Sequence, residues 1–525
     1  MRRALIDITI LLLIAAIVTL PNLTTVGLTS SEAHRAVPAL TMLNSGDWIV
    51  PELFGLDYMR KPQGIFWAFA LAYQLLDPTT HGVELAPRLV SAIAFALLAL
   101  GAYAFSTRWF NRSAGRIAAL ATLLTPALWL PARAAEIESL HNLTTALGAW
   151  LVVEHLRATI TRKPLSWTWT LALALAIGAM LLTKGPAGLP ALLGLLLSAT
   201  LITKSIRAFT SWRVWCAFLI ASATFVWFWT FALARASDNV VLQTPSAFLF
   251  ESGTLLKLAG FIPVALLTAL PMSLSIPFYF GPDARNERAS ADNQTRLLYD
   301  TGSIIALGAL LALGSMMCMG ISNDRYAQPV VATLGPSVAC VFTLAGLTTQ
   351  TWRTRTNAVM RPHRIRILRA MTLGSPLVLG ALLTTMALLF STTLAPTMRD
   401  QSGREPGLEA AQALRDQLPP GSYTILADAM IEARPELLLT LEHTLNTPEL
   451  RVTGLWDRGW ILDPAPDTLA LIRTDSTGDE TPKALSTHTL FEGRVHDFSF
   501  AIVRLPDTSH DETNSTQNRD DSTHP

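Results

Sequence analysis

The residues able to do chemistry in this chain are a few charged groups held at the edges of long apolar runs. Glu32 sits just past the apolar run that ends near Leu20, and Lys61 stands immediately before the next one, both inside a polar stretch from Ser30 to Trp67. Farther along, Glu138 lies in PARAAEIESLHNL beside Arg133, Glu136 and His141; Lys184 lies in LLTKGPAGLP; Arg325 and Tyr326 lie in SNDRYAQP. Ionisable groups near a membrane are costly to place and usually have a task. A carboxylate there can take a proton from a hydroxyl, and fixed cations in a partly dehydrated cleft can stabilise an anion that gains charge during a reaction. Each also has a plainer reading. Thr29-Ser30-Ser31-Glu32 is a capping box that gives Glu32 a helix-capping job, the charges around Glu138 fit a solvated turn, and a cation at a helix end can snorkel to the head groups. Snorkelling does not explain why cations occupy the short outer turns, which topology leaves poor in positive charge.

The elements that must position these residues are membrane spans. Of 525 residues, half are hydrophobic and 15% charged, too apolar for a soluble chain and long enough for many crossings. A formal net charge of +1, with basic residues in short clusters between apolar runs, excludes a general nucleic-acid binder. Apolar runs of spanning length fall at 4–20, 87–107, 115–131, 141–157, 167–183, 187–203, 212–234, 258–280, 301–320, 327–349 and 371–394, eleven in all. The first is a signal anchor: its run is too long for a removable signal peptide and no small-residue cleavage site follows. With the N-terminus inside, the inner connections hold twenty Lys and Arg residues against eight in the outer ones, which satisfies the positive-inside rule and puts the C-terminus outside. The apolar segment from Pro62 to Leu76 is too short to cross and reads as an interfacial or re-entrant helix that sets Lys61 against the bilayer. The tryptophans at 167, 169, 212, 215, 227 and 229 fit an aromatic belt.

After about residue 396 the composition changes. Residues 407–418 and 433–443 have helical periodicity, and 422–428, 450–456, 467–473 and 498–505 alternate as strands, giving a small α/β domain over 396–506 on the outer face. The last residues, 507–525, are polar and expected to be disordered.

Other chemistries find little support. There is no P-loop, no G-x-G-x-x-G after a strand, no H-E-x-x-H and no C-x-x-C pair. Cys216, Cys318 and Cys340 lie in or at the end of apolar runs and indicate neither a disulfide framework nor a zinc cluster. His34, His81 and His141 are scattered through the outer segments without a spaced pair, so the residues establish no cofactor and leave a divalent metal open.

A Glu opening a short helix, SGDW from Ser45 to Trp48, P-x-L-x-G from Pro51 to Gly55, and Lys61-Pro62 before an aromatic-rich run together resemble the first external loop of the aminoarabinose transferase and protein O-mannosyltransferase superfamily. LTKGP at Lys184 and R-Y-x-x-P at Arg325 resemble motifs of that family at corresponding places, so the likeness covers most of the membrane part. Two departures stand out: Ser31-Glu32 replaces the family's Asp-Glu, and Lys61-Pro62-Gln63 replaces its KPP. The resemblance implies an all-α polytopic membrane protein of the C-type glycosyltransferase fold over residues 1–395, with interfacial helices in a first loop at 21–86 and a soluble domain like that of aminoarabinose-transferase relatives at the C-terminus.

It also implies a function: transfer of a sugar from a polyprenyl-phosphate carrier to a periplasmic envelope acceptor, lipid A being favoured by the family label, at the inner membrane with the soluble domain in the periplasm. Lys61, Lys184, Arg325 and Tyr326 would hold the donor phosphate, Glu32 and Glu138 would be catalytic, and Arg133, Arg35 and Ser31 would support them. The family carries an Asp after an A-R pair; Ala132-Arg133 is present, and Glu138 is its closest match, with Glu136 competing. Serine is no general base at neutral pH, so with Ser31 in place of Asp either Glu32 or Glu138 takes the proton, the acceptor is a phosphate needing little deprotonation, or the activity is altered. Two other classes stay open. A flippase of lipid-linked material would show internal repeats and mid-membrane charges; the sequence shows no repeat, and charges are nearly absent from its span centres. A non-catalytic relative would bind the carrier lipid and recruit a partner, and Ser31 is its best support.

Overall fold

In the computed structural model the chain is described for residues 2–347 apart from 22, 164, 238–239, 243–253 and 322, and then for 362–365, 404–417, 424–427, 435–445, 449–452, 468–473, 489–495 and 498–504. The first ten expected spans all meet a helix or a broken pair of helices. They are α1 (Arg2–Thr19), α5 (Leu85–Trp109), α6 (Arg112–Leu123) with the one-turn α7 (Pro126–Trp129), α8 (Ile137–Thr161), α9 (Trp167–Lys184), α10 (Leu189–Thr203), α11 (Trp212–Arg235), α12 (Thr254–Thr268) with a 3-10 stretch at Met272–Tyr279, α14 (Asn293–Cys318), and α15 (Gln328–Ala332) with α16 (Gly335–Leu344). The eleventh expected span, 371–394, lies outside the described residues, as do the tail 507–525 and most of the boundary near 396.

By length and composition, four helices among the described residues can cross a membrane unaided, or up to seven if each bent pair is one span. The chain is a membrane protein. α1 carries Arg2, Arg3 and Asp7, and α8 carries Glu138, His141, Asn142, Glu154 and His155; this polar content separates them from the purely apolar spans. The polar side chains turn inward: Asp7, Glu138, His141, Asn142, Glu154 and His155 are all buried. By contrast α11 shows Leu219, Ile220, Val226, Trp227 and Phe231 on its surface, as a lipid-facing helix should. At the end of the bundle that carries the N-terminus, Asp7 accepts hydrogen bonds from Arg112, Arg116 and Tyr103, tying α1 to α5 and α6. Arg108 and Trp109 both donate to Glu154 of α8.

The first loop is built as a separate layer. α2 (Ser30–Ser45) leads to a short hairpin of β1 (Glu52–Leu53) and β2 (Leu56–Met59), where Phe54 and Gly55 both take positive φ, and then to α3 (Gly64–Leu75). α3 is a 12-residue apolar helix, too short to span, which bears out the short helix expected there. The one-turn α4 (Pro78–His81) follows it; α13 (Pro282–Ser290) precedes α14, and β3 (Val241–Leu242) runs parallel to β2.

Beyond the bundle, α17 (Arg404–Gln417), β4 (Thr424–Ala427), α18 (Pro435–Leu445), β5 (Glu449–Val452), β6 (Thr468–Arg473), β7 (Thr489–Val495) and β8 (Phe498–Arg504) form one sheet of order β5-β4-β6-β8-β7 under two helices. β4 is parallel to β5 and β6, and β8 is antiparallel to β6 and β7. The expected helices and four strands are present. The fifth strand, β7, was not expected; its Glu492-Gly493-Arg494 interrupts the alternation that marks a strand.

Candidate active site

Three features bring the outer-face charges together. Gly64 lets α3 lie directly on the end of α9: a Cβ at this position would stand 2.7 Å from the Leu182 carbonyl oxygen, so any other residue would push α3, and Lys61 before it, away from Lys184. Gly185, at φ 64°, ends α9 and turns the chain away just after Lys184, a left-handed stop that favours glycine. Finally, two of the three sharply bent helix pairs among the described residues carry site residues at their ends: Arg112–Leu123 with Pro126–Arg133 finishes three residues before Glu136, and Asp324–Ala332 with Gly335–Leu344 begins one residue before Arg325. The first loop is fastened to α3 by Gln63, which donates to the Ile49 carbonyl at 2.9 Å, and by Trp67, which donates to the Trp48 carbonyl at 2.6 Å. The residue that departs from the family's KPP is therefore a strut under Lys61.

Glu32 is not where a free base would be. Its side chain is fully buried and accepts from Arg88 Nε and Nη2, both at 2.8 Å, from the Ala135 backbone N–H at 2.7 Å and from the Thr29 backbone N–H at 2.9 Å. Arg88 in turn donates to the carbonyls of Leu23, Val26 and Gly27. Burial opposes ionisation of Glu32, but Arg88 and the backbone donors outweigh it and hold the carboxyl below its usual range. The capping box is real, and the same carboxylate joins α2, the connection from α1, α5 and the turn into α8. Arg88 was missed in the sequence; an Arg inside LAPRLV at the start of an apolar run is the signal that a buried partner exists.

Arg133 also turns from the expected group. Its guanidinium donates to the carbonyls of Val18 and Pro21, at 2.7 and 2.6 Å, and so caps the end of α1.

The remaining charges do converge. Lys184 Nζ lies 3.0 Å from Glu138 Oε1 and 4.9 Å from the centre of the Tyr326 ring. Glu136 sits between two arginines, its Oε2 3.5 Å from Arg35 and its Oε1 3.7 Å from Arg325. Arg35 donates to the Ser31 hydroxyl at 2.7 Å. Lys61 is drawn down to about 8, mainly by burial and then by the like charges of Lys184 and Arg35, which places it electrostatically in the same cluster. Arg325 is half exposed at the rim, whereas Glu136, Glu138 and Lys184 are each less than a tenth exposed.

The two glutamates are pushed apart. Burial raises Glu136, the Glu138 charge adds to the rise, and Arg35, Arg325 and Ser31 offset only part of it. Glu138 is buried as well, but Lys184, then Arg35 and Arg325, hold it well below the usual carboxylate range. Neighbouring carboxylates with opposed shifts divide the work of proton transfer and charge balance. Four cations against two carboxylates leave an excess of positive charge suited to a phosphate.

Among the described residues no three His, Cys, Asp or Glu side chains gather as a metal site. His34 packs on the Tyr58 ring and bonds to the Ser30 carbonyl, and His81 is exposed at the end of α4.

Fold and loop motifs together place the chain in the class of polytopic membrane proteins built on the C-type glycosyltransferase fold. Within it, residues 60–230 match the family model described as dolichyl-phosphate-mannose-protein mannosyltransferase. The undecaprenyl phosphate-alpha-4-amino-4-deoxy-L-arabinose arabinosyl transferase of Pectobacterium carotovorum is 31% identical over 157 residues, 29% of this chain and 27% of that one; a relative of the same name from Sodalis glossinidius is 31% identical over 169 residues. The alignment thus spans about a quarter of the length of these curated relatives. Crystal structures of ArnT from Cupriavidus metallidurans, bound to undecaprenyl phosphate and in the apo state, share the fold, with TM-scores of 0.60 and 0.59 at 18% and 16% identity over 96% of this chain and 98% of theirs. Over residues 60–230 the chain is thus similar to protein O-mannosyltransferases, over a shorter alignment to aminoarabinose transferases, and in fold to ArnT.

Proposed function

We propose that this protein is an integral-membrane glycosyltransferase that moves a sugar from a polyprenyl-phosphate carrier to an acceptor of the cell envelope, with lipid A the leading acceptor. The observation that carries the reading is the convergence of Lys61, Lys184, Arg35 and Arg325 on two buried glutamates at the outer-loop face of the bundle. In the reaction the acceptor oxygen bonds to the anomeric carbon and the bond from that carbon to the phosphate oxygen breaks. The carrier phosphate leaves with one more negative charge, and the acceptor proton goes to a carboxylate. Cations that already surround the phosphate stabilise the leaving state more than the bound donor.

We assign the proton to Glu136. Its carboxyl is held above its usual range by burial and the neighbouring Glu138 charge, and its Oε2 meets Arg35 only at 3.5 Å, which suits a base able to work near neutral pH. Glu138 keeps Lys184 in place and balances its charge. Glu32 acts through Arg88 and Ala135 as a positioning residue. With Ser31 where relatives have Asp, the base of this chain is displaced onto the α8 turn, and Ser31 holds Arg35. Tyr326 orients Lys184. The charge pattern supports an N-terminus in the cytoplasm and a periplasmic site at the inner membrane.

The test is transfer from radiolabelled undecaprenyl-phosphate sugars to an envelope extract by purified protein in lipid, with and without EDTA, which reads any divalent-metal requirement. Label should move to an envelope product in the wild type and stay on the carrier with Glu136→Gln or Lys61→Ala. Label that stays on the carrier with every donor would overturn the reading.

A further inference from the structure

The described residues hold two hydrophobic cores, and the boundary between them is not the boundary between bundle and outer domain. One core belongs to the bundle. The second joins the first loop to the outer domain: Ala36 and Val37 of α2 and Phe66 of α3 share a buried cluster with Leu438 and Leu439 of α18 and Leu471 of β6. Ala135 and Ile137, on either side of Glu136, are fully buried members of the same cluster.

α18 rests directly on α2. Residues 435–439 and 441 of α18 are all buried, whereas a helix on the surface of a small domain keeps one face in water. α2 in turn depends on its neighbours. Pro38, three residues after Arg35, removes the helical bond to the His34 carbonyl. The bonds from Arg88 and Ala135 to Glu32 fasten its first turn, and α3 and α18 pack against the helix.

We infer that the outer domain is a positioning element of the site: through α18 and the shared core it holds α2 and the turn into α8 so that Arg35 stays within ion-pair reach of Glu136. The inference rests on the proposed transferase reading, and within it on Glu136 as the base. Arg35 and Glu136 are 3.5 Å apart and 11% and 9% exposed, so water screens the pair little and a displaced α2 is felt at the carboxylate. Glu136 is faced by Arg35 and the Ser31 hydroxyl from α2, by Glu138 from α8 and by Arg325 from the turn before α15. The two arginines favour the ionised carboxyl and Glu138 opposes it, so losing Arg35 raises the pH at which Glu136 becomes a base.

Gly407 of α17 faces Leu437 and Thr440, which turns Leu438 and Leu439 away from α17. The experiment takes Leu438→Ala and Leu439→Ala singly, with Val503→Ala, on the face of β8 outside the shared core, as the control. Hydrogen exchange of the full-length protein in lipid nanodiscs reads α2 and the Glu136 turn. Transfer from radiolabelled undecaprenyl-phosphate sugars to an envelope extract, followed against pH, reads the base. At least one leucine variant should speed exchange over residues 30–45 and 134–137 about tenfold. The same variant should move the acid limb of the rate upward by about half a pH unit, part of the way to Arg35→Ala. Val503→Ala should lower the unfolding temperature and do neither. Exchange over 30–45 that is unchanged in both leucine variants overturns the inference, and so does equal loosening in Val503→Ala, since the whole protein has then softened. A loosened α2 with an unmoved limb overturns it as well, provided that Arg35→Ala moves the limb. An unmoved limb in Arg35→Ala itself overturns Glu136 as the base, and wild-type protein that transfers no label overturns the transferase reading.

Discussion

Removing Arg88 should damage the fold more than the chemistry. Both Arg88 and Glu32 are at most 2% exposed, so Arg88→Met leaves a buried carboxylate with only the Thr29 and Ala135 amides and strips donors from the carbonyls of Leu23, Val26 and Gly27. Breaking a buried ion pair from one side costs about 3–5 kcal/mol. At roughly 2 °C per kcal/mol for a large chain, the unfolding temperature should fall by about 6–10 °C. Glu32→Gln should produce a smaller fall, since the amide keeps two of the acceptor contacts but turns its NH₂ on the guanidinium. The combined Glu32→Leu/Arg88→Met variant should recover part of the Arg88→Met loss, because no unpaired charge is left; the coupling energy follows from the four melting curves. Surviving protein of each variant should transfer sugar at a rate within about tenfold of wild type once corrected for folded fraction. The reasoning is refuted if Glu32→Gln melts like the wild type and yet abolishes transfer, since Glu32 would then be the base and its pairing with Arg88 incidental.

Glu136→Gln should lower the transfer rate by about 10²–10⁴ with the melting curve preserved, the range expected for loss of a general base; a rate near wild type moves the base to Glu138. Carrier-phosphate binding should weaken as pH rises through about 8, where Lys61 loses its proton, and Lys61→Arg should flatten that dependence. The sign for stability is opposite: Lys61 is depressed from 10.5 to about 8, so the unfolded chain holds the proton longer and folding gains stability as pH rises between those values. Calorimetric titration of undecaprenyl phosphate and melting curves from pH 7 to 10 read both. Arg325→Ala, at the half-exposed rim, should weaken phosphate binding without destabilising the protein, whereas Lys184→Ala should also lower the melting temperature by uncovering buried Glu138.

Several features follow from the sequence alone because they depend on local pattern. Apolar runs separated by basic clusters fix a polytopic membrane chain, and ten of the spans read from them meet helices or helix pairs. Periodicity marks α17, α18 and four strands of the outer domain, and the short apolar length of α3 separates it from a span. The motifs at Lys61, Lys184 and Arg325 stand out as cations where few are expected, and the tertiary structure does bring Lys61 and Arg325 into the same cluster as Lys184 and Glu138.

The roles of the acids were decided only in three dimensions. Glu32 meets Arg88 across 56 residues of chain, and no spacing rule connects them. Arg133 reaches back 115 residues to the end of α1. Glu136 and Glu138 are near neighbours with the same side chain; what distinguishes them is that α9 ends with Lys184 beside one and leaves the other between two more distant arginines. Ionisation depends on burial and on charges within a few ångströms, and both are set by how helices pack and where they break, not by the residue type the sequence displays.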